Sequence, residues 1–146
     1  MSVYRPIDRV FAPVDGDKEI TPDLIQAWGR QVTGSKTWSE LLETPRVVIL
    51  AEAGSGKTRE FEEKVKRLRA EGEFAFFGPI EVIADRGLKD ILSHQDHEQF
   101  EAWTRSSARA WFFLDSVDEA KLTRKSLDFA LNKFSRELGT AHDRAN

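Results

Sequence analysis

An α/β fold with a mainly parallel sheet is predicted by three features of the sequence. Two apolar runs, Arg46-Val47-Val48-Ile49-Leu50-Ala51 and Trp111-Phe112-Phe113-Leu114, lack the alternation of a half-exposed strand and fit strands covered on both faces. Segments with helical spacing lie between them. The connections are too long for hairpins, which implies right-handed crossovers.

Taken in order, residues 1 to 20 combine Pro6, Pro13 and Gly16 with charged residues, which predicts an irregular or extended lead-in. Thr21-Pro22 reads as an N-cap with proline at the first helical position, opening a short helix through Leu24, Ile25 and Trp28 that ends before Gly34. Thr37 and Glu40 have capping-box spacing, so a second short helix is expected over Trp38 to Glu43, stopped by Pro45. Residues 1–44 are therefore a lead-in with short N-terminal helices, and 45–146 form the α/β core.

The run Arg46 to Ala51 leads into a glycine-rich turn. From Gly56 or Lys57 to Ala70 the spacing is helical, with Phe61, Val65 and Leu68 on one face. Glu60/Lys64, Glu62/Lys66 and Glu63/Arg67 are spaced for pairing outside, and Gly72 is the stop. Phe74 to Ala84 is apolar but broken by Gly78-Pro79, which suggests one bent strand or two short ones. Short helices are expected over Leu88 to Ser93 and His97 to Arg105. The strand Trp111 to Leu114 ends at Asp115, and Leu127, Ala130, Leu131, Phe134 and Leu138 mark a last helix running to Gly139.

Composition narrows the function classes. A formal net charge of -3 gives no general attraction to nucleic acid or anionic membrane. The chain has no cysteine, which excludes disulfides, thiolate metal sites and cysteine nucleophiles and favours a reducing, cytoplasmic setting. His94 and His97 could share a helical face, yet no third ligand of matching spacing accompanies them. The N-terminus lacks the apolar core of a signal peptide, and no stretch approaches the roughly 20 apolar residues of a membrane span.

Two constellations carry chemistry. Ala51-Glu52-Ala53-Gly54-Ser55-Gly56-Lys57-Thr58 matches the Walker A phosphate-loop pattern with alanine for the leading glycine. Holding a polyphosphate takes several backbone N–H groups aimed inward along a path free of side chains, which Gly54 and Gly56 permit. The helix that follows adds its positive N-terminal end. Lys57 suits the β- and γ-phosphates as a mobile point charge, and the Thr58 hydroxyl suits Mg²⁺. The preceding strand and following helix are the context the pattern requires.

The second is Phe112-Phe113-Leu114-Asp115-Ser116-Val117-Asp118-Glu119, of Walker B type. An acid at the end of a buried strand stands where strand C-termini collect ligands, so Asp115 is the expected magnesium residue. Glu119, with Asp118 close behind, is the expected group for orienting or deprotonating a water. An alternative stays open, because Ser116 and Glu119 also have capping-box spacing and these acids would then decorate a helix start.

On AEAGSGKT and FFLDSVDEA together, the sequence resembles the NACHT-type branch of the signal-transduction ATPases with numerous domains. The resemblance spans about Val47 to Leu138 and implies a three-layer P-loop NTPase, here only its N-terminal part. It further implies a switch driven by Mg·ATP in a bacterial defence or signalling protein, with self-association or C-terminal sensor domains as partners. Lys57 would bind phosphate, Thr58 and Asp115 would serve magnesium, and Glu119 with Asp118 would support hydrolysis. Adenine rests on the resemblance, although an Asn-Lys-x-Asp guanine-reading motif is absent.

Trp28 or Trp38 could stack on a base. Core packing is the commoner fate of such residues, and the same holds for Phe76, Phe77, Trp103 and Trp111. Two competing functions remain: a module that holds nucleotide without hydrolysing it, and a P-loop phosphotransferase. The latter needs a basic lid, whereas Arg105, Arg109, Arg124 and Arg136 are dispersed.

Overall fold

The computed structural model describes residues 10, 11, 35–45, 47, 49, 56–116 and 124–146. The chain divides into two units, Met1–Glu52 and Ala53–Asn146, and the division falls within the glycine-rich stretch.

In the first unit, β1 (Val10–Phe11) pairs antiparallel with β2 (Lys36–Thr37), and α1 (Trp38–Leu42) follows directly. The expected capping box forms between Thr37 and Glu40. The Glu40 carboxylate accepts the Thr37 backbone N–H at 2.7 Å and the Thr37 hydroxyl at 3.2 Å, satisfying a donor at the helix start. These two bonds, the backbone one foremost, hold the Glu40 carboxyl below its ordinary value. The helix ends at Leu42, ahead of Pro45, as its missing N–H requires. Trp38 meets the Phe11 ring edge-on at 5.0 Å, so it is engaged in local packing.

The helix expected through Leu24, Ile25 and Trp28 lies outside the described residues. Of the strand expected over Arg46 to Ala51, Val47 and Ile49 are described, and neither belongs to a strand. Val47 is 39% exposed, so at this position the apolar run is not covered on both faces.

The second unit is a small α/β arrangement around one parallel strand pair. Helix α2 (Lys57–Ala70) buries Phe61, Val65 and Leu68, the face expected from their spacing. It stops at Gly72, whose φ of 86° is left-handed. There the N–H of Glu73 bonds to Leu68 at 2.9 Å and that of Gly72 to Arg69 at 3.0 Å, closing a Schellman cap. Surface pairing differs from expectation in detail: Lys66 binds Glu63 at 2.7 Å and Arg67 binds Glu71 at 3.1 Å, while Glu60 is buried rather than outward. Spacings of three and four are both within reach on a helix, and such exposed pairs contribute only a few tenths of a kcal/mol.

Strand β3 (Phe74–Pro79) runs parallel to β4 (Ala110–Asp115), with Phe76 opposite Phe112 and Pro79 opposite Asp115. Between them lie α3 (Ile80–Asp85), a 3₁₀ turn (Leu88–Ile91) and α4 (His94–Thr104). The second half of the apolar stretch Phe74 to Ala84 is thus a helix and not a strand. Pro79 ends the ladder because it has no N–H to donate, and then serves as the cap before Ile80. Ile80 and Ile83, three apart, are both buried, a helical spacing that the β-branched content masked.

Of the short helix expected over Leu88 to Ser93, Leu88–Ile91 is a 3₁₀ turn, and α4 begins three residues before the expected start. Ser93 caps it by accepting the Asp96 N–H at 3.2 Å. Helix α5 (Arg124–Leu138) closes the order, followed by a 3₁₀ segment (Gly139–Arg144). Asn146 then lies along the outer side of β4, donating to Ala110 and accepting from Phe112, both at 2.8 Å.

Side chains alternate across the strands, so each face has its own helices. On one face Phe113 packs against Phe61 of α2, with ring centroids 5.4 Å apart. On the other, Phe76 and Phe112 stack at 5.0 Å and are enclosed by Phe100 and Trp103 of α4 and Phe134 of α5. Trp103 is fully buried, and its ring N–H is satisfied by the Ala108 carbonyl at 3.0 Å. Phe76 and Trp103 are therefore core residues. Among the described residues no helix is long and apolar enough to cross a membrane.

Candidate functional site

The site grows from the junction of turn and helix at Gly56. Gly56 is the N-cap of α2 with φ 82° and ψ 12°, a left-handed conformation open to glycine at little cost and to a β-branched residue only with strain. Its carbonyl accepts the Glu60 N–H at 3.1 Å and so starts the helix. Lys57 and Thr58 occupy the first turn, where backbone N–H groups have no partner inside the helix and the helix dipole is positive.

Strand β4 supplies the opposing group. Residues two apart on a strand share a face, so Asp115 projects on the side of Phe113, toward α2. Residues three apart on a helix share a face as well, which sets Thr58 one turn before Phe61. The Phe61–Phe113 contact thus aligns Thr58 with Asp115. The Thr58 hydroxyl donates to Asp115 Oδ2, a side-chain bond across 57 residues of sequence. Asp115 is only 3% exposed, and among the described residues Thr58 is the one side chain bonded to its carboxylate.

Burying an ionised carboxylate costs several kcal/mol unless charge or hydrogen bonds compensate, and one neutral hydroxyl is a small share of that compensation. The oxygens of Thr58 and Asp115 are groups that could ligate a cation. Hydroxyl and carboxylate are hard oxygen donors, the set that suits Mg²⁺ and not the softer metals. Beside them, the N-terminus of a 14-residue helix suits an anion.

The next residue turns the other way. Ser116 donates to Glu81 Oε1 at 2.7 Å, and Glu81 stands in the first turn of α3, just past the end of β3. The serine read from sequence as a possible helix cap is thus bonded to an acid of another element. Glu81 escaped the sequence reading because it is one acid inside an apolar run. The one available signal was its place two residues after a proline that ends a strand.

Of the residues expected to bind phosphate, metal or water, Gly56, Lys57, Thr58 and Asp115 are described, and the structure brings Thr58 and Asp115 together. Glu52, Ala53, Gly54, Ser55, Asp118 and Glu119 lie outside the described residues. His94 is exposed and His97 half-buried on α4, while Asp96 between them pairs with Arg69 at 2.6 Å. Among the described residues no group of three or more histidines, cysteines or acids is gathered as for a metal ion. No protein-family profile matches the chain, and no curated protein or solved structure does.

Proposed function

We propose that this chain carries the phosphate and magnesium site of a P-loop NTPase that binds Mg·ATP and acts as a nucleotide-dependent switch. The reading is supported above all by one contact: the hydroxyl that follows Gly56-Lys57 is bonded to a buried aspartate at the end of a parallel strand. These are the two oxygen donors that the sequence motifs assign to magnesium, and they stand on elements far apart in the chain.

In this reading each residue has a distinct task. Gly56 lets the backbone turn so that N–H groups face the phosphates, and the first turn of α2 adds its dipole. The Lys57 ammonium opposes charge on the β- and γ-phosphates. Thr58 and Asp115 hold magnesium, which, when bound, neutralises charge on the phosphate oxygens. Glu119, assisted by Asp118, orients a water against the γ-phosphorus and takes its proton while the bond from that phosphorus to the ADP oxygen breaks. The NACHT-type assignment, the adenine preference and the role in defence or signalling rest on the motif resemblance.

The test is equilibrium binding of a fluorescent ATP analogue with magnesium. Lys57→Ala is expected to weaken binding at least tenfold, since it removes a charge paired with phosphate. Equal binding by wild type and this variant would refute the proposal. Glu119→Gln separates turnover from binding: phosphate release should fall about a hundredfold or more with affinity retained, as loss of a general base predicts. Unchanged release would remove Glu119 as the base, and release at background level in both proteins would leave a nucleotide-holding module without catalysis.

A further inference from the structure

The end of β4 is held from both faces. Asp115 reaches across one face to Thr58 in the first turn of α2, and Ser116 is bonded to Glu81 in the first turn of α3. The two bonds have opposite polarity. At Asp115 the strand supplies the carboxylate and the helix the hydroxyl, whereas at Ser116 the strand end supplies the hydroxyl and the helix the carboxylate. Since Pro79 and Asp115 are paired in register, Glu81 and Ser116 lie just past the same end of the parallel pair.

Resting on the reading above, we propose that Glu81 is a positioning residue for the magnesium site: through Ser116 it fixes the backbone leaving Asp115, and so the direction of the Asp115 carboxylate toward Thr58. Ser116 is joined to Asp115 by one peptide bond, so freeing its side chain frees the backbone torsions that aim the aspartate. A general-base role for Glu81 fits the geometry less well. One of its oxygens accepts from Ser116, and the other, Oε2, is closed to solvent, leaving poor access for a reacting water. Groups that orient a metal ligand commonly change metal affinity by about 10- to 100-fold when lost.

The experiment titrates Mg²⁺ into the whole chain at fixed fluorescent ATP and reads the magnesium concentration at half-maximal binding. Glu81→Ala and Ser116→Ala are each expected to raise that concentration about tenfold. Nucleotide binding without magnesium should be unaltered. The effects of the two substitutions should combine to less than their sum, because both break the same bond. Ser116→Thr, which restores the hydroxyl, should recover the wild-type midpoint. A purely structural strap would instead lower thermal stability and leave the magnesium midpoint in place. If Glu81→Ala does not fold, Ser116→Ala and Ser116→Thr carry the comparison alone.

An unchanged midpoint in the folded variants, or effects of the two substitutions that simply add, overturns the role of Glu81 while leaving nucleotide binding intact. Wild type binding Mg·ATP no better than Lys57→Ala overturns both proposals at once.

Discussion

Replacing Thr58 with valine removes one hydroxyl at nearly constant shape and tests the central contact of the site. Asp115 is 3% exposed, and among the described residues its carboxylate has no other side-chain partner. A hydrogen bond to a charged group contributes about 1.5–3 kcal/mol, so Thr58→Val should destabilise the fold by about 2 kcal/mol. With a urea dependence of about 1.5 kcal/mol per molar, the unfolding midpoint falls by about 1.3 M. The second arm is Asp115→Asn, which keeps an acceptor but removes the charge. In that background Thr58→Val should cost about 1 kcal/mol less, the coupling expected of groups in direct contact. Urea melts of the four proteins, followed by far-ultraviolet circular dichroism, give the cycle. Equal midpoint shifts in both backgrounds would refute the reasoning, since the hydroxyl would then be acting on something other than the Asp115 charge. Mg·ATP should also raise the wild-type midpoint and leave that of Thr58→Val nearly unmoved, because only a ligand bound to the native state stabilises it.

Two further outcomes concern the scaffold. A Cβ at Gly78 would stand 2.6 Å from Ile91 Cβ and 2.7 Å from its Cδ1, so Gly78→Ala should destabilise by about 1–3 kcal/mol, as overpacking does; a neutral or raised melting temperature would show that the 3₁₀ turn yields freely. Glu40 titrates below the ordinary carboxyl value, so its cap contributes above that value and is lost as pH falls through the lowered one. Because the backbone N–H is the larger cause, Thr37→Ala should keep the carboxyl lowered in an NMR titration, and a return to the ordinary value would contradict that order.

What could be read from the sequence follows from the range of the forces involved. Phe61, Val65 and Leu68 share a helical face and Gly72 ends the helix because periodicity and a left-handed cap are local properties. The run Trp111 to Leu114 is legible as a strand for the same reason, and the acid at its end is the one bonded to Thr58. Ile80 to Asp85 misled because β-branched content outweighed a short i, i+3 pattern that only burial makes visible. The cap formed by Ser93 and Asp96 obeys the same rule as that at Thr37 and Glu40, but no strong apolar pattern lies directly behind it to mark the start of α4. Glu81 was beyond reach because its partner is 35 residues away and no local spacing joins them.

The aromatic core has a spectroscopic consequence. Trp103 is sealed among Phe76, Phe100 and Phe112, with its ring N–H bonded to a carbonyl and no exposed surface. An indole held in this way emits at short wavelength and gains near-ultraviolet ellipticity from its fixed, asymmetric surroundings, both of which vanish when the packing loosens. Trp38 and Trp111 are half-buried, so their signals will respond differently from that of the enclosed ring. The helix His94–Thr104 thus carries a built-in optical gauge of whether the sheet beneath it is intact, read without any label.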